Sequence, residues 1–138
     1  MIAITPYLNF SGNCREAMEF YARALGGELW KMTFGESPME SPEEAKDLIL
    51  HASVMVKGAP VVMASDTPPG MVLEAGNNVS LAVKCESAGE AERLFAALSE
   101  GGVVTMPLQE TFWAERFGML KDRFGVQWML NLDKPAGG

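Results

Sequence analysis

The sequence predicts an α+β fold made of two tandem βαβββ modules. Three observations carry that prediction: a helical segment that occurs twice, short segments of alternating polarity around each copy, and turn residues that separate them. The stretch "REAMEFYARALGGEL" (15–29) returns as "GEAERLFAALSEGGVV" (89–104). Both carry Glu-Ala near the start, an aromatic five residues after that Glu (Tyr21, Phe95) and a Gly-Gly pair past the last apolar residue.

In chain order, 2–10 reads as a strand, and Ala17, Phe20, Tyr21, Ala24 and Leu25 then recur at helical spacing. Asn13 with Glu16 resembles a capping box at the start of this helix, and Gly26-Gly27 supplies the left-handed residue that ends it. Strands are expected over 28–34, 48–56 and 60–65, with Lys57-Gly58-Ala59 turning the last pair into a hairpin. The acidic stretch "GESPMESPEEAKD" interrupts them, and Ser41-Pro42-Glu43-Glu44 looks like the start of one short surface helix.

The second module repeats this order. A strand over 78–84 precedes a helix whose buried face is Ala91, Leu94, Phe95 and Leu98, capped by Ser87 with Glu90 and ended by Gly101-Gly102. Strands over 103–108, 112–121 and 126–132 follow. Asp122-Arg123-Phe124-Gly125 places Asp first and Gly fourth, as a type I turn prefers. The modules are read as 1–66 and 78–134. The Pro- and Gly-containing stretch 67–77 is read as an exposed linker inside a single domain.

Composition excludes several functional classes. A chain of 138 residues with 48% hydrophobic content can bury an ordinary core without staples. Its net charge of −7 works against a phosphate backbone, so nucleic acid is not an expected partner. No apolar run approaches the roughly 20 residues needed to cross a bilayer, and the start lacks a basic region followed by an apolar one. The expected location is cytoplasmic, without a membrane partner. Cys14 and Cys85 are too few and too far apart for a disulfide framework or a zinc motif, and are read as reduced thiols.

The segments "PYLNFSGNCREAMEFY", "VVMASD", "EGGVVTMPLQETFW" and "FGMLKDRFGVQWMLN" resemble the PhnB-like branch of the vicinal oxygen chelate superfamily, over nearly the whole chain. That superfamily includes glyoxalase I, extradiol dioxygenases and bleomycin-resistance proteins. The resemblance implies a curved mixed sheet around a cavity, with helices on its outer face, and a homodimer; open sheet edges also favour pairing. Members of the branch often bear the name demethylubiquinone methyltransferase, yet the sequence has no Gly-rich strand–turn–helix to hold S-adenosylmethionine.

In metal-using relatives, four cavity-facing strand positions supply His and Glu ligands, and strand alternation identifies the corresponding face here. On the last strand Val126, Trp128, Leu130 and Leu132 go to the core, which leaves Gln127, Met129 and Asn131 for the cavity. The same parity gives it Thr5, Tyr7 and Asn9 from the first strand, Val61, Met63 and Ser65 from the fourth, and Asn78 and Ser80 from the fifth. The residues nearest the ligand positions are Thr5 or Tyr7, Met63, Asn78 and Met129, none of them an ordinary divalent-metal ligand. No metal and no cofactor is expected.

His51, the sole histidine, shares a face with Ser53 and Met55 and is the one candidate catalytic residue, as a general base. Without a carboxylate partner in view it also reads as a hydrogen-bonded wall residue. Cys14 at a helix N-terminus lacks a neighbouring His or Cys and reads as a buried spectator. Trp113, Phe117 and Met119 share one strand face, either core or pocket wall, while Phe112, Ala114 and Leu120 are assigned to the buried face. Asp66, Glu115, Arg116, Lys121 and Arg123 read as solvated or salt-bridged.

The expected ligand-binding set is therefore Tyr7, Asn9, His51, Met63, Asn78, Ser80, Trp113, Gln127 and Met129. A neutral, Met- and aromatic-lined cavity suits a metal-free protein that binds a small molecule. The alternatives are a lyase- or dioxygenase-type enzyme, with a metal or with His51 as base, and a structural dimer module with a filled cavity.

Overall fold

A computed structural model describes residues 2–135. The chain forms two compact units, Met1–Glu74 and Ala75–Gly138. The first contains β1 (Tyr7–Phe10), α1 (Cys14–Leu25), β2 (Glu28–Thr33), a single 3-10 turn at Glu43–Ala45, β3 (Ile49–Val56) and β4 (Ala59–Asp66). The second contains β5 (Leu81–Lys84), α2 (Ala88–Ser99), β6 (Val103–Gln109), β7 (Ala114–Lys121) and β8 (Gln127–Asp133). Both units have the βαβββ order that the repeated helical segment predicts.

Their sheets have the same topology. The strand orders are β1-β4-β3-β2 and β5-β8-β7-β6, with the β1–β4 and β5–β8 pairs parallel and the others antiparallel. A parallel pair needs a long crossover connection, whereas successive antiparallel strands need only turns. At Lys57-Gly58 both backbone φ angles are positive, 51° and 78°, so two residues suffice to join β3 to β4.

One face of each sheet is covered by its helix. Helix α1 buries Ala17, Met18, Phe20, Tyr21 and Ala24 and packs on β2, β3 and β4, whose buried apolar residues include Ala52, Val54, Val62 and Ala64. Gly27 permits the approach: a Cβ there would lie 2.7 Å from the Met55 carbonyl oxygen and 2.8 Å from Val54 Cγ1. Helix α2 buries Ala91, Leu94, Phe95 and Leu98 over β6, β7 and β8, where Leu120, Trp128, Leu130 and Leu132 are buried.

Three boundaries differ from expectation. β1 starts at Tyr7 and not at residue 2: Pro6 has no N–H to donate and contributes only its carbonyl, which accepts from Met63 N at 3.0 Å. β5 starts at Leu81 because it pairs from Trp128 onward and β8 itself begins only at Gln127, so Asn78 and Ser80 precede the ladder. β7 starts at Ala114. Thr111 and Ala114 close a turn through Thr111 N–H to the Ala114 carbonyl (3.0 Å) and Ala114 N–H to Thr111 Oγ1 (3.0 Å), and Phe112 at its tip is 88% exposed, not buried.

The helix starts also depart from the expected caps. Ser87 Oγ accepts from Glu90 N as expected, while the Glu90 carboxylate accepts from Glu86 N, one residue before the cap. Asn13 makes no side-chain cap at all. Its role is taken by Asp66, which comes from the far end of β4.

Candidate functional site

In the first unit, the sheet face opposite α1 brings together several of the expected residues. Ladder pairing aligns Tyr7, Met63, Ser53 and Trp30 across four strands, Asn9 beside Ser65, and His51 beside Met32. Burial alternates accordingly: Ala52, Val54, Val62 and Ala64 are fully buried, whereas His51, Met55, Met63 and Ser65 are half-buried.

His51 is the centre of this face. Tyr7 Oη and His51 Nδ1 are 3.0 Å apart, and the two rings lie 5.6 Å from centroid to centroid. On the other side, the Trp30 ring is 5.7 Å from the imidazole. Beside this aromatic row is an open groove of about 460 Å³, lined by Glu28, Leu29, Trp30, His51, Ser53 and Met55.

Glu28 and Trp30 were not singled out by the sequence reading. The signal was available: β2 pairs with β3, and Trp30 and Met32 alternate with Leu29 and Lys31, so once His51 is assigned to a face Trp30 follows it. The 50% exposure of a tryptophan on an ordered central row of side chains marks surface kept open.

In the second unit, Gln127, Met129 and Asn131 are half-buried, alternating with buried Trp128, Leu130 and Leu132. Met129 pairs with Met119 and Ala82, and Gln127 Nε2 donates to the Val79 carbonyl at 3.2 Å. Trp113 precedes β7 and packs edge-on against Phe117 (5.3 Å) and Phe112 (4.8 Å). Arg116 faces Glu92 of α2 at 3.8 Å. Asn78 and Ser80 lie in the segment before β5, with Asn78 exposed.

Asp66 corrects the reading of it as a solvated or salt-bridged group. It is 3% exposed, and its carboxylate accepts three backbone hydrogen bonds: from Gly12 N (2.9 Å), Cys14 N (3.0 Å) and Ile49 N (2.8 Å). The strand–turn–helix where a nucleotide-like cofactor would seek free N–H groups is thus already committed to a carboxylate of the chain itself. The turn does not fit S-adenosylmethionine.

Thr5, Tyr7, Met63, Asn78 and Met129 offer hydroxyls, thioethers and a carboxamide, none an ordinary divalent-metal ligand, and among the described residues no group of three or more His, Cys, Asp or Glu is arranged to hold an ion. No described helix is long and apolar enough to cross a membrane.

Cys14 is fully buried. Burial and then the negative charge of Asp66 push its thiol up from 9.0 to about 12, with Arg15 opposing weakly; burial also raises Cys85. A thiol raised in the folded state contributes stability below its unfolded value and loses it as pH climbs through the folded value. Stability should therefore fall between about pH 9 and 12, and Cys14→Ala should flatten that decline, as urea midpoints measured across this range would show. A wild-type curve no steeper than the variant's would contradict the burial assigned to the thiol.

A family model described as 3-demethylubiquinone-9 3-methyltransferase matches residues 2–131. Protein YjdN of Escherichia coli is 37% identical, covering 95% of each chain. The crystal structure of PA1353 from Pseudomonas aeruginosa is 49% identical, with a TM-score of 0.87 over 98% of this chain and 100% of that one. The PhnB protein of Bacillus cereus is 28% identical, with a TM-score of 0.76 over 95% and 99%. The chain therefore belongs to the family described as 3-demethylubiquinone-9 3-methyltransferase, and it shares the fold of solved proteins of the glyoxalase/bleomycin resistance/dioxygenase superfamily.

Proposed function

We propose that this protein is a metal-free small-molecule binder, and that the groove beside Trp30 and His51 receives the ligand. The observation that carries the reading is the composition of that groove: an exposed indole, a thioether and an imidazole, with Ser53 and Glu28 as the other polar groups. Binding pockets have this character, a mainly apolar wall with a few placed polar groups, and a half-buried Met adapts to different shapes. Tyr7, Asn9 and Met63 continue the same face. Trp113, Gln127, Met129, Asn78 and Ser80 are proposed as ligand-binding residues of the second unit by itself. The protein is proposed to be cytoplasmic and to act as a homodimer.

The test combines elemental analysis of natively purified protein with a thermal-shift screen of small aromatic compounds. The expected result is stabilisation by a subset of compounds in protein that retains no metal. Near-stoichiometric Ni, Zn, Fe or Mn surviving desalting would overturn the metal-free reading. For any compound that stabilises, Trp30→Ala should weaken binding about tenfold or more, since truncating a central aromatic contact usually costs upwards of about 1.4 kcal/mol. An unchanged affinity would remove the groove from the proposal. Sedimentation giving a monomer at micromolar concentration would remove the dimer.

A further inference from the structure

Tyr7 reaches His51 across one intervening strand, since β1 and β3 are both neighbours of β4. At 3.0 Å their contact is one hydrogen bond, and its direction sets what the groove sees. A phenol O–H is a far stronger acid than the N–H of a neutral imidazole, and an unprotonated imidazole nitrogen is a better acceptor than a phenol oxygen. The favoured arrangement has Tyr7 donating to Nδ1, which leaves the proton of the neutral ring on Nε2. His51 Nε2 has no hydrogen-bond partner among the described residues, and the ring lines the groove.

We infer that Tyr7 is a positioning residue that holds His51 with Nε2–H turned to the groove, so that the site selects neutral aromatic ligands bearing a carbonyl. This rests on the binding function proposed above and names its ligand class. The donor calls for an acceptor on the ligand. Trp30, with half its surface open beside the imidazole, offers a ring face for a flat aromatic body. Glu28 on the groove wall disfavours an anionic acceptor such as a carboxylate, and the net charge of −7 acts in the same sense at long range. His51 then acts as a hydrogen-bond donor, not as the base that an isolated histidine suggests.

The experiment is nitrogen NMR of the labelled imidazole at about pH 8.5, where an ordinary histidine is neutral, on the full chain and on Tyr7→Phe. Three probes are added in turn: acetophenone, benzoate and benzyl alcohol. The expected spectrum has a pyrrole-type Nε2 and a hydrogen-bonded, pyridine-type Nδ1. In Tyr7→Phe, which keeps the ring beside His51, the Nδ1 signal should move downfield as its donor is lost. Acetophenone should perturb His51 Nε2 and the Trp30 indole and bind about fivefold more tightly than benzoate, the scale of repulsion between two exposed like charges in contact.

A pyrrole-type Nδ1 would overturn the inference whatever the probes do. Benzoate binding as well as or better than acetophenone would overturn the ligand class. The expected tautomer with all three probes silent would instead overturn the binding function and leave the Tyr7–His51 geometry standing.

Discussion

Asp66→Ala should destabilise the protein by about 4 kcal/mol, because three backbone N–H groups, two of them in buried bonds, lose their acceptor at once. A hydrogen bond to a charged group contributes about 1.5–3 kcal/mol, and water entering the space left by the carboxylate recovers part of the sum. Asp66→Asn should cost roughly half as much. The carboxamide oxygen can still accept from Gly12 and Cys14, while its NH2 group would meet the N–H of Ile49, donor against donor. Urea titration would show the midpoint falling with little change in slope. An Asp66→Ala protein within about 1 kcal/mol of wild type would mean that the turn and β3 do not depend on this carboxylate. The cost would reach the site as well. Asp66 ties the turn after β1 and the first residue of β3 to the end of β4, and those strands carry Tyr7, His51 and Met63.

The contrast between Asp66 and its surroundings shows what a single sequence can and cannot disclose. The βαβββ order of each unit was readable because it depends on local signals: a repeated amphipathic helix, Gly-Gly at its end, and alternating strands. Parity was readable too, and the burial of Trp128, Leu130 and Leu132 against half-buried Gln127, Met129 and Asn131 follows it. What failed depended on partners distant in sequence. Asp66 looked like a surface charge because its three donors lie 54, 52 and 17 residues away. The length of β5 was overread because a strand pairs only where its partner runs, and that of β1 because alternation alone does not register the N–H that Pro6 lacks. Phe112 was assigned to the core by alternation, but the Thr111–Ala114 turn breaks the period and leaves the ring exposed. Trp30 was missed for another reason: the family's ligand positions drew the reading to the first and fourth strands, whereas the groove lies on β2 and β3.

Asp122→Ala should cost about 3 kcal/mol, the second large effect, and its partner Trp128 makes the origin measurable. The turn after β7 was read as type I from its first and fourth residues, and Gly125 N–H does donate to the Asp122 carbonyl at 3.0 Å. Turn preference alone would put Asp122 at the surface, with a removal cost near 1 kcal/mol. It is instead 3% exposed. Its Oδ1 accepts from Phe124 N (2.8 Å) and Val126 N (3.0 Å), and its Oδ2 from the indole Nε1–H of buried Trp128 (2.8 Å). The side chain thus closes the turn and accepts from the polar edge of a core tryptophan. The two contributions separate in a double-mutant cycle. Trp128→Phe removes the indole donor along with part of the ring; once it is gone, Asp122→Ala should cost less by about 1.5 kcal/mol, because the bond to the indole is no longer there to be lost. Additive costs, within about 0.5 kcal/mol, would show that the indole draws no stability from the carboxylate. Asp122 would then count as a turn residue alone, as its sequence neighbourhood suggests.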